Sequence, residues 1–411
     1  MNQKTQPQII ELDLIGQYYA SIINEKQSGV FSISAHLKES VNPQILQQAV
    51  NDLMRRLPFV SGRLRRGFFH YAHEVIAEPP LIKPVSEPYA FSDYYNKGSG
   101  HVLRIVYGER HFTVETIHSI CDGRGLTKIT SALLVRYFEL LGVTMDKSGV
   151  IDCSDSFQPE EAENAFLRYA NSPNKKKTEK KKPPSKSKAY QPIRSKSTEV
   201  QVITRKFSAN EIKSSAKEHG ATVSEYILAH IFRAVAEERA ARGIRNPITA
   251  MIPIDCRSFF PSKTLRSFVS AATVVMPETD DFSEMLRQIR AQFETINKES
   301  VLGEISELQN LYNKFRFAPR IAKKLFMKMF ESANAAASTT GLSNLGLVKL
   351  PAEITGRVDS LDFAISLEES TPYFFSCVTV GDALALTATF REDYRGLVGN
   401  VMDLLLGERK R

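Results

Sequence analysis

The feature that most constrains this chain of 411 residues is a stretch that cannot join a folded core. From Asn174 to Lys188 the sequence reads NKKKTEKKKPPSKSK, with eight Lys, one Glu and no aliphatic or aromatic side chain. Such a segment has too little apolar surface to offset its conformational entropy. Continued through AYQPIRSKSTE, it predicts a flexible linker over 171–199, with one domain at 1–170 and another at 200–411. Length alone also argues for more than one domain.

The same run accounts for the charge. The formal net charge is +8, and the Asn174–Lys188 stretch supplies +7 of it, leaving about +1 for the rest. The run has no interleaved aromatics to stack on bases, so a solvated linker is expected rather than a nucleic-acid site. Apolar residues make up 42% and charged residues 24%, which suits a globular chain with sizeable cores. No run of eighteen apolar residues occurs, so no membrane-spanning helix is expected. The N-terminus, MNQKTQPQIIELD, lacks the features of a signal peptide, so a cytoplasmic location is expected. Cys121, Cys153, Cys256 and Cys377 are scattered, without the spacing of a zinc site or a disulfide framework, and no bound metal is expected.

Hydrophobic patterning gives the elements. In the first half, Val30–Ser34 alternates as a strand, and Asn42-Pro43 opens a helix with Ile45, Leu46, Val50, Leu53 and Met54 on one face. The segment 102–117 reads as a hairpin around Gly108-Glu109-Arg110, and 125–141 has helical periodicity. In the second half, Val200–Phe207 predicts a strand. Ser208 predicts the N-cap of a helix over 209–219, with Gly220 at its stop. A helix over 223–239, strands at 247–254 and 268–276, and helices at about 281–297 and 303–331 follow. Ser338–Gly346 reads as a Gly/Ser-rich turn, and the rest as antiparallel strands at 363–366, 373–379 and 383–390 with a closing helix at 393–406. Strand and helix mix without strict alternation, which predicts an α/β fold of mixed sheets.

One motif carries chemistry. Thr116-Ile117-His118-Ser119-Ile120-Cys121-Asp122-Gly123 places a histidine where a strand ends, four residues before an Asp-Gly turn signal that opens a helix. A side chain there is held firmly yet reaches a ligand. Histidine titrates near neutral pH and suits a general base. Gly123 lets the backbone turn without a Cβ penalty. Cys121 lies beside this chemistry without being part of it.

With these residues the chain resembles the acyl-CoA-dependent acyltransferase superfamily, which includes chloramphenicol acetyltransferase, plant BAHD acyltransferases, nonribosomal condensation domains and alcohol acetyltransferases. It looks most similar to bacterial alcohol-acetyltransferase-like proteins. The resemblance covers nearly the whole chain. HSICDG matches the signature. LKESVNPQILQQAVNDLMRRLPFVSGRLRRG, TVSEYILAHIFRAV, IPIDCRSFFPSKTLRSFVS and GLSNLGLVKLP match flanking segments.

The resemblance implies two chloramphenicol-acetyltransferase-like domains facing each other across a substrate tunnel, with His118 near its centre. It implies acyl transfer from acyl-CoA, as co-substrate rather than resident cofactor, to a small hydrophobic alcohol or amine, with His118 as base. A carrier-protein-bound thioester in a condensation-type reaction is the second reading, and a catalytically silent ligand-binding relative the third. The motif aspartate, Asp122, is implied to be structural and to pair with Arg257 of IPIDCRS. The developing oxyanion needs a donor, for which Ser343 and Asn344, then Thr340, are candidates. A polar turn that satisfies its own backbone is the alternative for these three. The chain departs from the plant enzymes in lacking their Asp-Phe-Gly-Trp-Gly segment and any Trp. It also has Ser267 where many relatives carry Asn.

Overall fold

The computed structural model describes residues 8–23, 28–85, 100–170, 189–192, 197, 199–279, 281–325, 338–367 and 371–407. Most of the lysine-rich stretch lies outside the described residues. Ala189 and Tyr190, which fall within the expected linker, are instead buried against the second half. The Tyr190 amide donates to the Pro247 carbonyl and its hydroxyl to Glu238.

The first half runs β1 (Ile9–Glu11), α1 (Leu14–Ile22), β2 (Val30–Leu37), α2 (Pro43–Arg56), β3 (Gly62–Arg66), β4 (Tyr71–Val75), β5 (Lys83–Pro84), β6 (Leu103–Tyr107), β7 (His111–Ile117), α3 (Gly123–Leu140) and α4 (Ala165–Ala170). The second half runs β8 (Val200–Ser208), α5 (Ala209–Glu218), α6 (Val223–Ala241), β9 (Thr249–Asp255), β10 (Val269–Val275), α7 (Phe282–Glu294), α8 (Lys298–Phe315), β11 (Thr340–Val348), β12 (Val358–Ile365), β13 (Tyr373–Val380), β14 (Ala383–Arg391) and α9 (Arg395–Gly407). The caps are those the sequence announces. Asn42 Oδ1 accepts from Ile45 N at 3.1 Å, and Ser208 Oγ from Glu211 N at 3.2 Å. Gly220 ends α5 with φ +65°, a left-handed conformation that favours glycine.

A five-stranded sheet of order β12-β2-β7-β6-β5 forms the first lobe and a six-stranded sheet of order β10-β9-β11-β13-β14-β8 the second. Both mix parallel and antiparallel neighbours. Helices α2 and α3 cover the first sheet with Leu46, Leu53, Leu126, Ile129 and Leu133 in one core. Each such side chain contributes about 2 kcal/mol by burial. Helices α6 and α9 share the second core with Ile231, Phe232, Val398 and Val401. A three-stranded sheet, β1-β4-β3, stands apart.

The lobes are not cleanly divided at the linker. Strand β12 belongs to the second half by sequence, yet pairs with β2 from Val358↔Leu37 to Ile365↔Phe31. Its alternation marks a strand but not its partner, because pairing across more than three hundred residues has no local signature.

Two elements differ from the sequence reading. The predicted turn at Ser338–Gly346 is mostly β11, an inner strand parallel to both β9 and β13. Its glycines serve packing and a bulge. A Cβ on Gly341 would sit 2.1 Å from the Phe374 ring. Gly346 has φ +72° where the register shifts between Asn344 and Leu347. The helix expected over 303–331 begins at Lys298, capped by Asn297, and ends at Phe315 ahead of Pro319. Residues 320–325 are helical again, and 326–331 lie outside the described residues.

Candidate active site

His118 is the first residue beyond β7, and its amide donates to the Gly29 carbonyl at 3.0 Å. Gly29 has φ +62° as the chain turns into β2. The imidazole is clamped by two rings. Tyr19 of α1 stacks on it at 4.3 Å between centroids with an 11° interplanar angle, and Phe31 of β2 lies at 4.8 Å. Nδ1 is buried and makes no ordinary hydrogen bond among the described residues. The residue as a whole keeps partial exposure. Burial is the main influence on its titration and lowers the pKa below the usual 6.5. The negative charge of Asp122 and the residue's own carbonyl act the other way. Burial thus favours the neutral imidazole, the form a base needs.

Asp122 does not touch that ring. Its Oδ1 caps α3 by accepting from Gly125 N at 2.8 Å, which satisfies one of the helix's orphan donors. Its Oδ2 accepts from Arg257 Nη1 at 2.9 Å and from Phe268 N at 2.8 Å. The guanidinium also donates from Nη1 to Asp255 Oδ1 at 2.9 Å, from Nε to the Thr264 carbonyl at 3.0 Å and from Nη2 to the Arg266 carbonyl at 2.6 Å. One planar fork therefore binds the motif aspartate of the first lobe to the loop between β9 and β10 of the second. The two carboxylates raise the Arg257 pKa further, against the effect of its burial.

That loop has further ties to the first lobe. Thr264 Oγ1 donates to the Glu163 carbonyl at 2.7 Å, and Leu265 N to the Glu161 carbonyl at 2.8 Å. Arg266 Nη2 donates to the Glu11 carbonyl at 2.8 Å and pairs with Asp13 at 3.3 Å. Ser267 Oγ donates to the His118 carbonyl itself at 3.3 Å, so the second lobe holds the backbone of the histidine as well as the turn behind it.

Two glycines allow this closeness. Gly123 lies at the start of α3, and its φ is not in the left-handed region. Its role is packing rather than the sharp turn expected from sequence. A Cβ there would lie 2.8 Å from Leu345 Cδ2 and 3.3 Å from Phe363 Cζ. Gly125, which the sequence reading passed over, is tighter, since a Cβ would lie 2.0 Å from the Leu265 carbonyl oxygen.

The three oxyanion candidates separate on β11. Thr340 is buried with its hydroxyl donating to the Tyr373 carbonyl at 3.1 Å. Asn344 is exposed, with Nδ2 on Ser224 Oγ at 2.9 Å and Oδ1 accepting from Gly346 N at 2.7 Å, which ties the bulge together. Ser343 is buried on the same side of the strand as Leu345, whose side chain reaches Gly123. Its hydroxyl makes no hydrogen bond to a protein group among the described residues. Cys121 is fully buried and its thiol pushed well up, chiefly by burial, which keeps it from acting as a nucleophile.

Among the described residues no group of three or more His, Cys, Asp and Glu is placed to hold a metal ion. No helix among them is long and apolar enough to cross a membrane. A surface groove of about 530 Å³ bordered by Asn51, Arg55, Pro58, Ser61, Ile76 and Pro79 contains none of the motif residues.

No protein-family profile and no curated protein matches the sequence. Solved structures do match, over nearly the full length. Polyketide synthase associated protein 5 from Mycobacterium tuberculosis superposes with a TM-score of 0.60 at 13% identity, covering 96% of this chain and 97% of its own. TRI101 of F. sporotrichioides, solved with coenzyme A and T-2, gives 0.59 at 15% identity and 98% coverage of each chain. The first condensation domain of the CDA synthetase gives 0.56 at 11% identity, covering 95% and 92%. The chain therefore carries the two-lobed, chloramphenicol-acetyltransferase-like fold of these proteins.

Proposed function

We propose that the protein is an acyltransferase in which His118 Nε2 is the general base. The observation that carries this reading is a histidine held at the junction of the lobes by stacking on one face and by Ser267 behind its carbonyl, where burial favours the neutral ring. With Nδ1 buried, Nε2 is the nitrogen left to meet a substrate. We assign the proton to Nδ1, the tautomer that leaves the Nε2 lone pair free for the substrate.

The acceptor hydroxyl or amine gives its proton to Nε2 as its oxygen or nitrogen bonds to the thioester carbonyl carbon. The carbonyl oxygen becomes an oxyanion, for which Ser343 is the hydrogen-bond donor. Collapse breaks the carbon–sulfur bond, and the imidazolium returns the proton to the departing thiolate. Asp122 and Arg257 take no proton. They hold the turn and fix the distance between the lobes, so that one histidine serves a donor and an acceptor arriving from opposite sides.

We take acyl-CoA as the donor and a small hydrophobic alcohol, or an amine, as the acceptor. Coenzyme A in the TRI101 structure supports the first choice. The likeness to a condensation domain supports, as a second reading, a thioester on a carrier protein. The test is thiol release from a panel of acyl-CoAs with alcohols and amines, run beside the same acyl groups on a phosphopantetheinylated carrier. Acceptor-dependent release from CoA supports the first reading. Release from the carrier alone supports the second, and silence with both sinks the acyltransferase assignment.

A further inference from the structure

Two segments distant in sequence build one exposed surface that is both apolar and cationic. The tip of the β3–β4 hairpin carries Phe68 and Phe69, 73% and 43% exposed, with their rings edge-to-face at 4.8 Å. The chain after α8 carries Phe317, Ile321 and Leu325, 77%, 81% and 65% exposed. Backbone contacts lock the two segments together. Arg320 donates from N to the Phe68 carbonyl at 3.0 Å and from Nε to the Gly67 carbonyl at 3.2 Å. Lys323 Nζ donates to the Phe69 carbonyl at 2.8 Å. The apolar side chains are thus fixed in place and left projecting into solvent.

The charge around them is one-sided. Residues 63–70 (RLRRGFFH) and 314–325 (KFRFAPRIAKKL) contain eight Lys and Arg and no Asp or Glu. Among the described residues, Glu11 meets Arg316 at 3.6 Å and Glu74 meets Arg63 at 3.2 Å at the margin of this surface. Arg65, Lys314 and Lys324 stand exposed around the apolar tips.

We propose that this surface docks the protein on an anionic lipid bilayer. Phe68, Phe69 and Ile321 would enter the boundary between headgroups and acyl chains while the cations meet lipid phosphates. Single exposed apolar residues are ordinary, but five on one cationic face mark an interaction site. A bilayer fits better than a folded partner, because the five apolar side chains are 43–81% exposed and both segments lack carboxylates. The face is coupled to His118 through one helix. Tyr71, the first residue of β4 after the hairpin tip, exchanges hydrogen bonds with Gln17 of α1 at 2.7 and 3.0 Å, and α1 places Tyr19 on the imidazole. The proposal does not depend on the assigned reaction.

The chain contains no Trp, so Phe68→Trp in the full-length protein gives a single tryptophan, excited apart from the tyrosines, at the proposed depth. With vesicles of phosphatidylcholine containing about a quarter phosphatidylserine, its emission shifts to the blue and the protein sediments with the lipid. Pure phosphatidylcholine and about 0.5 M NaCl both weaken the effect. The triple variant Phe68→Ser/Phe69→Ser/Ile321→Ser, with an unchanged melting curve, partitions at least about tenfold less. No binding to the anionic vesicles overturns the proposal, as does binding that survives the triple substitution. A wild-type dimer that the triple variant dissolves, or binding to an acidic carrier protein, each without vesicle binding, would reassign the face to a protein partner and overturn it equally.

Discussion

Arg257→Ala tests the joint between the lobes. Arg257 and Asp122 form a buried pair, with side chains 9% and 5% exposed, and the guanidinium makes four hydrogen bonds to four different groups. Removing one member of a buried pair costs about 3–5 kcal/mol, because the remaining charge has lost its partner. Here Asp122 keeps the Gly125 and Phe268 amides, and Asp255 keeps Arg124 at 3.4 Å, so the low end, about 3 kcal/mol, applies. Arg257→Lys restores the charge without the fork to the Thr264 and Arg266 carbonyls, and should recover about half of that. The assay is urea unfolding followed by far-UV circular dichroism, with the slope checked for two-state behaviour since two lobes are involved. Combined with Asp122→Ala in a double-mutant cycle, the pair should show a coupling energy of about 2 kcal/mol. A loss under about 0.5 kcal/mol for Arg257→Ala, or a coupling inside that margin, would refute the reasoning.

Other consequences follow from single contacts. Gly125→Ala should destabilise by about 3 kcal/mol, because its Cβ meets the Leu265 backbone oxygen, whereas Gly123→Ala meets the mobile end of Leu345 and should lose about 1 kcal/mol; equal melting temperatures would show the two contacts to be alike. His73 is buried with its pKa pushed down to about 4, chiefly by burial, against 6.5 in the unfolded chain. The unfolded state then binds more protons between those values, so its stability contribution is present above pH 6.5 and is lost as pH falls toward 4, by about 3 kcal/mol. His73→Leu should flatten that slope in urea titrations, and a parallel decline in both proteins would disprove it. Ser343→Ala should lower kcat about a hundredfold with stability unchanged. An unaltered kcat would remove Ser343 from the oxyanion site.

Much of the site was legible because its signals are local. The hairpin of β6 and β7 shows as two alternating strands around Gly108-Glu109-Arg110, α3 as a 3.6-residue period, and the motif as their junction. What escaped depends on neighbours distant in sequence. Gly341, Ser343 and Gly346 have turn composition, yet they lie on an inner strand, where the Phe374 ring calls for the first glycine and a bulge for the second. Gly125 is unremarkable until Leu265 is laid against it. Tyr19 and Ser267 sit 99 and 149 positions from His118, and nothing near either residue announces that contact. Strand β12 was visible as a strand, while its place in the other lobe's sheet was not.

The central claim is that His118 removes a proton from the acceptor, and the most direct measurement is kcat/KM for acceptor-dependent thiol release as a function of pH, for wild type and His118→Ala. Burial lowers the His118 pKa, so the wild-type rate should be level at pH 7 and fall on an acid limb centred below 6.5. The variant, with an unchanged circular dichroism spectrum, should lose about a thousandfold in rate and show no such limb. A folded His118→Ala protein that keeps its rate, or keeps the same acid limb, would contradict the assignment.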